Sequence, residues 1–304
     1  MMQMNRRFVR PGPIFVRGIF LLAAVWFLAA TSFAQITVDS VITLSVTRSP
    51  VAGSPPVTQS FIQSDPAGGP AAAVGVLIML PGRTGNIQLT PVPPTTFPPA
   101  TDGTLDVNSG NFLVRSRWLF AAQGFVVLSL DSATDFQLLP NGLTDEQGSA
   151  AHVTDVLQVI NYARTMISGL PPNTPVWVVG TSRGMGGAWV AGENAPPIGP
   201  DGVVFTSPLN TSGDPDSLLS APLSTIMVPT LIFNNKASTC ADALASADPA
   251  LLKLLTGTKV KANENVNNAG FPPLTSDCEA LSPHGYFGIE PLTVTKVSTW
   301  IKAH

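Results

Sequence analysis

The fold is decided by one stretch, residues 175–190, which reads PVWVVGTSRGMGGAWV. Its first half is a short apolar run, typical of a strand that is covered on both faces. The run leads directly into residues 180–184 (GTSRG), a G-x-S-x-G pattern, and then into a segment compatible with a helix. Strand, sharp turn and helix together are the context in which this pattern raises a serine hydroxyl above a sheet. The stretch therefore predicts a nucleophile elbow with Ser182 at its tip.

The two glycines of this elbow have a steric purpose. The serine takes a strained backbone conformation, so strand and helix can approach each other only if the residues two before and two after it lack side chains. Gly180 and Gly184 meet this requirement. The N–H groups at the start of the following helix favour developing negative charge. We therefore predict that the Arg183 N–H is one donor of an oxyanion hole.

Strand-like and helix-like runs alternate on both sides of the elbow. The predicted strands occupy residues 72–80, 124–130, 176–179, 203–205, 228–233 and 258–266, and the predicted helices residues 111–123, 149–167, 184–192, 241–255 and 290–302. This alternation predicts an α/β fold whose central sheet is mostly parallel, with helices on both faces. Upstream, residues 35–48 and 57–63 have alternating apolar residues and predict an antiparallel hairpin at the edge of the sheet.

The base that would activate Ser182 is predicted from chain order. The chain has three histidines, and the catalytic one normally follows the serine in this architecture. His152 precedes Ser182, and His304 is the last residue. The prediction is therefore His284, in a loop between the final strand and the last helix.

A second oxyanion donor is expected in the loop after the 72–80 strand. Residues 80–85 of that loop read LPGRTG. Its glycines allow the backbone to approach a tetrahedral intermediate closely. Gly82 or Arg83 is the predicted donor.

The acid member of a triad has no clear candidate. It is expected just after the 228–233 strand, but residues 234–239 read NNKAST and contain no carboxylate. Asp242 is the next acid downstream, and Asp214 and Asp216 follow the preceding predicted strand. Asn235 or Ser238 is the other possibility, because an amide or hydroxyl can orient an imidazole. The sequence therefore leaves four candidates open, Asp242, Asn235, Ser238 and an aspartate after the preceding strand, for which Asp214 is taken.

Composition excludes several functional classes. The formal net charge is −3, whereas nucleic-acid binding requires a clustered excess of Lys and Arg. The chain is 44% hydrophobic, which is too apolar for a disordered protein. The three histidines and two cysteines lack the close spacing of a zinc site, and no glycine-rich nucleotide loop is present. We therefore expect no metal and no cofactor.

The first 34 residues have the pattern of a signal peptide. A basic segment with four arginines precedes an apolar run at 19–30, and Ser32-Phe33-Ala34 provides small residues for cleavage. We predict cleavage near Ala34, a single domain over residues 35–304, and a periplasmic or secreted protein without a stable membrane span. An uncleaved anchor is the alternative. In an exported chain, Cys240 and Cys278 are expected to form a disulfide that ties the acid loop to the histidine loop.

With these motifs in place, residues 71–301 resemble the α/β-hydrolase superfamily. They are most similar to exported bacterial α/β hydrolases of unknown substrate. The shared features are Leu80–Gly82, residues 111–117 (NFLVRSR), Asp131, Asp135, His152 with Asp155, GTSRG, Cys278, and residues 284–290 (HGYFGIE). Those relatives carry His-His-Lys/Arg-Asp-Asp before the cysteine, where this chain has Asn234, Asn235 and Lys236 followed by Ala237 and Ser238.

Motifs and resemblance together imply a serine hydrolase that cleaves small-molecule carboxylic esters through an acyl-enzyme. Ser182 is the expected nucleophile and His284 the expected base. The missing acid keeps a second hypothesis open, in which an impaired hydrolase fold binds a ligand or a partner protein. A peptidase is a third possibility within the enzyme class. Asp131, Asp135 and His152 either line the site or brace it, and Asp155 is either solvated or capping. A structural role is the favoured interpretation, since helix starts commonly carry such side chains. The sequence does not indicate an oligomeric state.

Overall fold

The computed structural model describes residues 39–87, 89–90, 106–107, 110–214 and 216–304. The predicted signal peptide lies outside these residues. The ten strands are β1 (Asp39–Ser45), β2 (Thr58–Ser64), β3 (Gly75–Leu80), β4 (Leu89–Thr90), β5 (Asp106–Val107), β6 (Phe125–Leu130), β7 (Val176–Thr181), β8 (Gly202–Thr206), β9 (Thr230–Asn235) and β10 (Lys261–Val266). The α-helices are α1 (Phe112–Arg115), α2 (Arg117–Ala122), α3 (Ala150–Thr165), α4 (Met185–Gly192), α5 (Asp248–Leu254) and α6 (Glu290–Ala303).

Eight of these strands form one sheet in the order β1-β2-β6-β3-β7-β8-β9-β10. The strands from β6 to β10 in this order are paired in parallel, as predicted from the strand–helix alternation. β3, β6, β7, β8 and β9 are buried along their whole length. Their Val, Leu, Ile and Phe side chains face helices on both sides, so the apolar runs need no polar alternation. The fold class predicted from the sequence is confirmed.

The N-terminal edge of the sheet is antiparallel, which confirms the predicted hairpin. β1 pairs with β2 from Asp39–Ser64 to Ser45–Thr58, and β2 continues antiparallel to β6. β1 is half-exposed because it forms the outer edge. Arg117 secures this edge through an ion pair of 2.6 Å with Asp39. All described residues belong to one compact unit.

One predicted helix is much shorter than expected. Residues 241–255 were expected to be helical throughout, but α5 begins only at Asp248. Two causes are visible. Backbone groups before it bond across to the loop after β8, where the Asn210 N–H donates to the Asp242 carbonyl and Asn210 Oδ1 accepts from the Leu244 N–H. Pro249, which has no N–H, fits the first turn of a helix and not its interior.

The carboxyl ends of the parallel strands lie at one edge of the sheet. Loops leave from this edge after β3, β7, β8, β9 and β10, and these loops, together with Asn235 at the end of β9, carry the candidate triad and oxyanion-hole residues named from the sequence. Ligand sites of open α/β sheets form at such an edge. Within the described part of the chain, no helix has both the length and the apolar character needed to cross a bilayer.

Candidate active site

Ser182 sits at a tight turn between β7 and α4. β7 ends at Thr181, residues 182–184 form a single 3-10 turn, and α4 begins at Met185. Ser182 has φ = 51°, a left-handed conformation that side-chain-bearing residues rarely take. Strain of this kind persists only where the surroundings enforce it, and it concentrates at functional positions. The Ser182 side chain is half-buried.

The surrounding glycines show how the elbow is enforced. A Cβ atom added to Gly180 would lie 2.5 Å from the Gly184 carbonyl oxygen. A Cβ atom on Gly184 would overlap the Leu80 carbonyl oxygen and lie 2.9 Å from the Pro81 carbonyl oxygen. No real side chain tolerates such distances. The structure therefore gives the steric reason for both glycines of G-x-S-x-G.

The loop after β3 packs directly against the elbow. A Cβ atom on Gly82 would lie 3.1 Å from Ser182 Cβ and 3.5 Å from the Arg183 backbone nitrogen. Arg83 has φ = 58° and so also adopts the left-handed region. The structure thus brings Gly82 to Ser182 and Arg183, and Arg83 follows Gly82 in the same loop. The Arg183 N–H belongs to the first turn of a helix, where N–H groups have no intrahelical acceptor.

The two arginines beside the elbow both form ion pairs at the rim. Arg83, with 72% of its side chain exposed, pairs with Glu279 at 2.6 Å. Arg183 pairs with Asp216 at 2.8 Å. The carboxylate of Asp216 is therefore paired with Arg183 and not with His284.

His284 lies in a 3-10 turn, Pro283–Gly285, and is only 4% exposed. Its backbone is held from two sides, because Ser282 Oγ accepts from the His284 N–H and Ser207 Oγ donates to the His284 carbonyl at 2.8 Å. Burial lowers the pKa of the imidazole to about 4, although the negative charge of Asp242 acts in the opposite direction. The imidazole is therefore neutral at pH 7, the state that a general base needs.

Two residues hold the histidine loop that the sequence reasoning did not assign. Arg115 donates to the Gly285 carbonyl and forms an ion pair of 2.9 Å with Glu290 at the start of α6. Tyr286 is fully buried, and its hydroxyl donates to the Phe233 carbonyl at 2.9 Å. The signal was present, since Arg115 and Glu290 both belong to motifs of the resemblance. Their meeting, however, depends on segments about 175 residues apart.

Asn235 is engaged elsewhere and does not contact the imidazole. Its Nδ2 donates to the carbonyls of Pro283 and Asn268, each at 2.9 Å. Its Oδ1 accepts from the Ala237 N–H at 3.1 Å. The side chain therefore connects the end of β9 to the histidine loop through the backbone.

The other acid candidates also have partners away from His284. Ser238 Oγ accepts from the Cys240 N–H, and Asp214 Oδ1 accepts from the Asp216 N–H at 2.9 Å. Asp242 is exposed, and its Oδ1 lies 3.4 Å from Thr211 Oγ1. Among the described residues, His284 Nδ1 is buried without a hydrogen-bond partner. Asp242 is thus the one of the four that acts on the imidazole, through charge alone.

Solved structures with a similar fold are hydrolases. Dienelactone hydrolase from Anabaena variabilis aligns with a TM-score of 0.55 at 15% identity, over 89% of this chain and 97% of its own. The acylaminoacyl peptidase of Pyrococcus horikoshii gives a TM-score of 0.56 at 8% identity, over 91% of this chain and 43% of its own. A putative dipeptidyl aminopeptidase IV from Bacteroides ovatus gives 0.53 at 12% identity, over 90% and 36%.

This chain has the α/β-hydrolase fold. No family model matches the sequence, and no curated protein matches it either. At sequence identities of 8 to 15%, the similarity to these solved structures shows the fold alone.

At the position where an acid is expected in this α/β-hydrolase fold, Asn234 contacts an aspartate from a different segment. Asn234 Nδ2 donates to Asp248 Oδ1 at 3.0 Å, and both residues are fully buried. Burial raises the pKa of Asp248 to about 6. Sequence reasoning missed Asp248, because it lies beyond the loop in which the acid was sought. The pair connects the end of β9 to the start of α5.

A disulfide joins Cys240 to Cys278, which confirms the predicted pairing. Both sulfur atoms and an Asp242 carboxylate oxygen lie within 4.8 Å of one another. Because the two sulfurs are bonded to each other, this cluster offers no thiolate for a metal. The bridge connects the loop that carries Asp242 to the segment that leads into His284.

Removing this disulfide is expected to destabilise the protein and to loosen the histidine loop. The bridge closes a loop with a sequence separation of 38, for which chain entropy predicts about 3 to 4 kcal/mol of unfolding free energy. The test is urea unfolding of a Cys240→Ser/Cys278→Ser double variant beside the parent protein. An unchanged midpoint would contradict the expectation.

Asp131, Asp135 and Asp155 brace the structure, whereas neither ring nitrogen of buried His152 has a hydrogen-bond partner in the part of the chain that the structure describes. Asp135 and Asp155 each bind Arg48 at 2.6 Å, with all three side chains buried. The Asp131 carboxylate accepts from the Ile87 N–H at 2.8 Å and so ties down the loop after β3. Burial, followed by the charge of Arg48, lowers the pKa of His152 to about 4.

Proposed function

We propose that the protein is a serine hydrolase that cleaves small-molecule carboxylic esters through an acyl-enzyme. The observation that carries this proposal is the strained Ser182 at a strand–helix elbow with Gly82 packed against it. An ordinary turn would connect the strand to the helix equally well. The connection alone therefore does not require a left-handed serine between two sterically obligatory glycines. Ser182 is the nucleophile, His284 the base, and Arg183 with Gly82 or Arg83 supplies the oxyanion hole.

In the proposed reaction, Ser182 Oγ attacks the ester carbonyl carbon while its proton passes to the His284 imidazole. The carbonyl oxygen becomes an oxyanion that accepts from the Arg183 N–H and from the N–H of Gly82 or Arg83. His284 then protonates the departing alcohol as the C–O bond breaks. Water, deprotonated by the same imidazole, hydrolyses the acyl-enzyme and restores Ser182. No metal or cofactor is needed for these steps.

Asp242 is our proposed source of negative charge for the imidazolium that forms. Its charge favours protonated His284, whereas Asn235, Ser238 and Asp214 have partners elsewhere. Because Asp242 is exposed and makes no hydrogen bond to the imidazole, its contribution is expected to be much smaller than that of a buried triad acid.

The direct test is labelling with a fluorophosphonate, followed by intact mass. We expect one adduct per chain on the parent protein and none on Ser182→Ala. The matched control is Ser298→Ala, which removes a buried serine hydroxyl of α6 and should leave labelling as in the parent protein. Absence of labelling on the parent protein would contradict the proposal and favour the second hypothesis, a ligand-binding protein. That hypothesis is also favoured by His284 Nδ1, which has no hydrogen-bond partner among the described residues.

The pH dependence of kcat/KM provides another prediction. With a His284 pKa of about 4, activity should be flat from pH 5 to 8 and fall only as the pH drops through about 4. Asp242→Asn should move this acid limb to lower pH, because it removes the charge that raises the histidine pKa. It should also lower kcat by about tenfold or less, the range of an exposed charge interaction. An acid limb near pH 6.5, or a kcat loss approaching the ~10⁴-fold effect of altering a hydrogen-bonded triad acid, would contradict this assignment.

We also propose that the protein is exported. The disulfide supports this, because such bonds persist mainly in oxidising compartments. The predicted cleavage near Ala34 stays a prediction.

A further inference from the structure

Gln147 lies beneath the loop that packs against Ser182. It is 5% exposed and sits just before α3. Its Nε2 donates to the Pro81 carbonyl at 3.1 Å and to the Arg83 carbonyl at 3.2 Å. Both partners are acceptors, so the side-chain nitrogen and not the oxygen must face them. One amide group thus holds the two carbonyls on either side of Gly82.

This contact determines the direction of a proposed oxyanion donor. The Pro81 carbonyl and the Gly82 N–H belong to the same peptide unit, which is planar and trans. The N–H therefore points away from the carbonyl oxygen, and a fixed Pro81 oxygen fixes the Gly82 N–H. Arg83, the residue after Gly82, has a left-handed conformation with φ = 58°, and the bond from Gln147 to its carbonyl helps to hold that conformation. Without such a partner, that strain would favour rearrangement of the loop.

Gln147 also packs on the helix that follows the nucleophile. A Cβ atom on Gly186 of α4 would lie 3.2 Å from Gln147 Cβ and 3.1 Å from the Gly148 nitrogen. Gln147 therefore contacts both parts of the proposed site, the loop with Gly82 and the helix that begins after Ser182. It thereby fixes the two proposed oxyanion donors relative to each other through the backbone groups that it contacts.

We propose that Gln147 is a positioning residue that aims the Gly82 N–H at the oxyanion. This inference rests on the proposed serine-hydrolase function. Loss of a complete oxyanion donor costs about 10²- to 10³-fold in kcat. For a donor that is present but misaimed, we expect a smaller loss, about 10- to 100-fold, with KM nearly unchanged. An interaction made only in the transition state has this kinetic signature.

The experiment compares Gln147→Met with Gln59→Met. Both side chains are buried, and Gln59 Nε2 likewise donates to two carbonyls, those of Asp131 at 2.6 Å and Ser60 at 2.9 Å. Gln59→Met therefore removes the same chemistry away from Ser182. Steady-state kinetics on p-nitrophenyl acetate are normalised to active sites titrated with fluorophosphonate. Inhibition by a trifluoromethyl ketone, which forms an oxyanion on the serine, is measured in parallel.

We expect Gln147→Met to lower kcat per active site and to raise the Ki of the ketone by the same factor, while Gln59→Met changes neither. If Gln147→Met does not fold, Gln147→Leu replaces it with Gln59→Leu as its control, because leucine also removes the amide donor and adds no charge. Equal effects of the Gln147 and Gln59 variants, or a change in KM alone, would overturn the positioning role. A parent protein without labelling or hydrolysis would overturn the proposed function and, with it, this inference.

Discussion

Replacing Ser182 with Ala, His284 with Gln, or both together is expected to lower kcat on an activated ester by the same factor, about 10⁵ or more. The effects should not add, because the proposed nucleophile and base act as one unit. Once either is lost, the other has no step to perform. The remaining acceleration over water, about 10³- to 10⁴-fold in enzymes of this kind, comes from the oxyanion hole and from substrate binding. The measurement is steady-state kinetics on the three variants.

His304→Gln is the matched control, since this histidine lies at the end of α6, stacked on Trp300. We expect it to keep the parental kcat. Thermal unfolding of all variants shows whether a loss is chemical, and His284→Gln should unfold within a few degrees of the parent protein. If His284→Gln kept more than about a hundredth of the parental kcat, the assignment of the base would be wrong.

Gly184→Ala is expected to destabilise the protein by about 3 kcal/mol or more, because rigid backbone atoms fill the space that its methyl group needs. The Cβ atom would overlap the Leu80 carbonyl oxygen of β3. To relieve this overlap, β3 and α4 would have to move apart. β3 is buried along its whole length and α4 is largely buried, so this movement is costly. Urea unfolding, followed by circular dichroism, measures the loss.

Gly148→Ala is the matched control for this substitution. A Cβ atom there would lie 3.7 Å from Trp189 and 3.9 Å from Val190, both ordinary van der Waals distances, and Gly148 does not need a positive φ. We expect a change within about 0.5 kcal/mol, as for substitutions that create no clash. A Gly184→Ala protein as stable as Gly148→Ala would refute the steric account of the elbow.

Local patterns predicted most of the fold because each depends on neighbouring residues. The apolar runs, the alternation of strands with helices and the GTSRG turn are all readable within about ten positions, and the sheet follows them. The exception was residues 241–255. Their pattern predicted one helix, but hydrogen bonds to the loop after β8 and the position of Pro249 allow a helix only from Asp248 onward. Propensity is a weak influence, and tertiary contacts override it.

The sequence by itself determined the architecture of this protein, the elbow with Ser182, and the set of residues from which a site could be built. Only the tertiary structure decided which of these residues meet: Gly82 against Ser182, Arg115 on the histidine loop, Asn234 with Asp248, and Gln147 on the carbonyls of Pro81 and Arg83. The physical reason is that hydrogen bonds and ion pairs act over about 3 Å in space, whatever the separation along the chain. Periodicity records which face of an element is buried, but not which partner covers it.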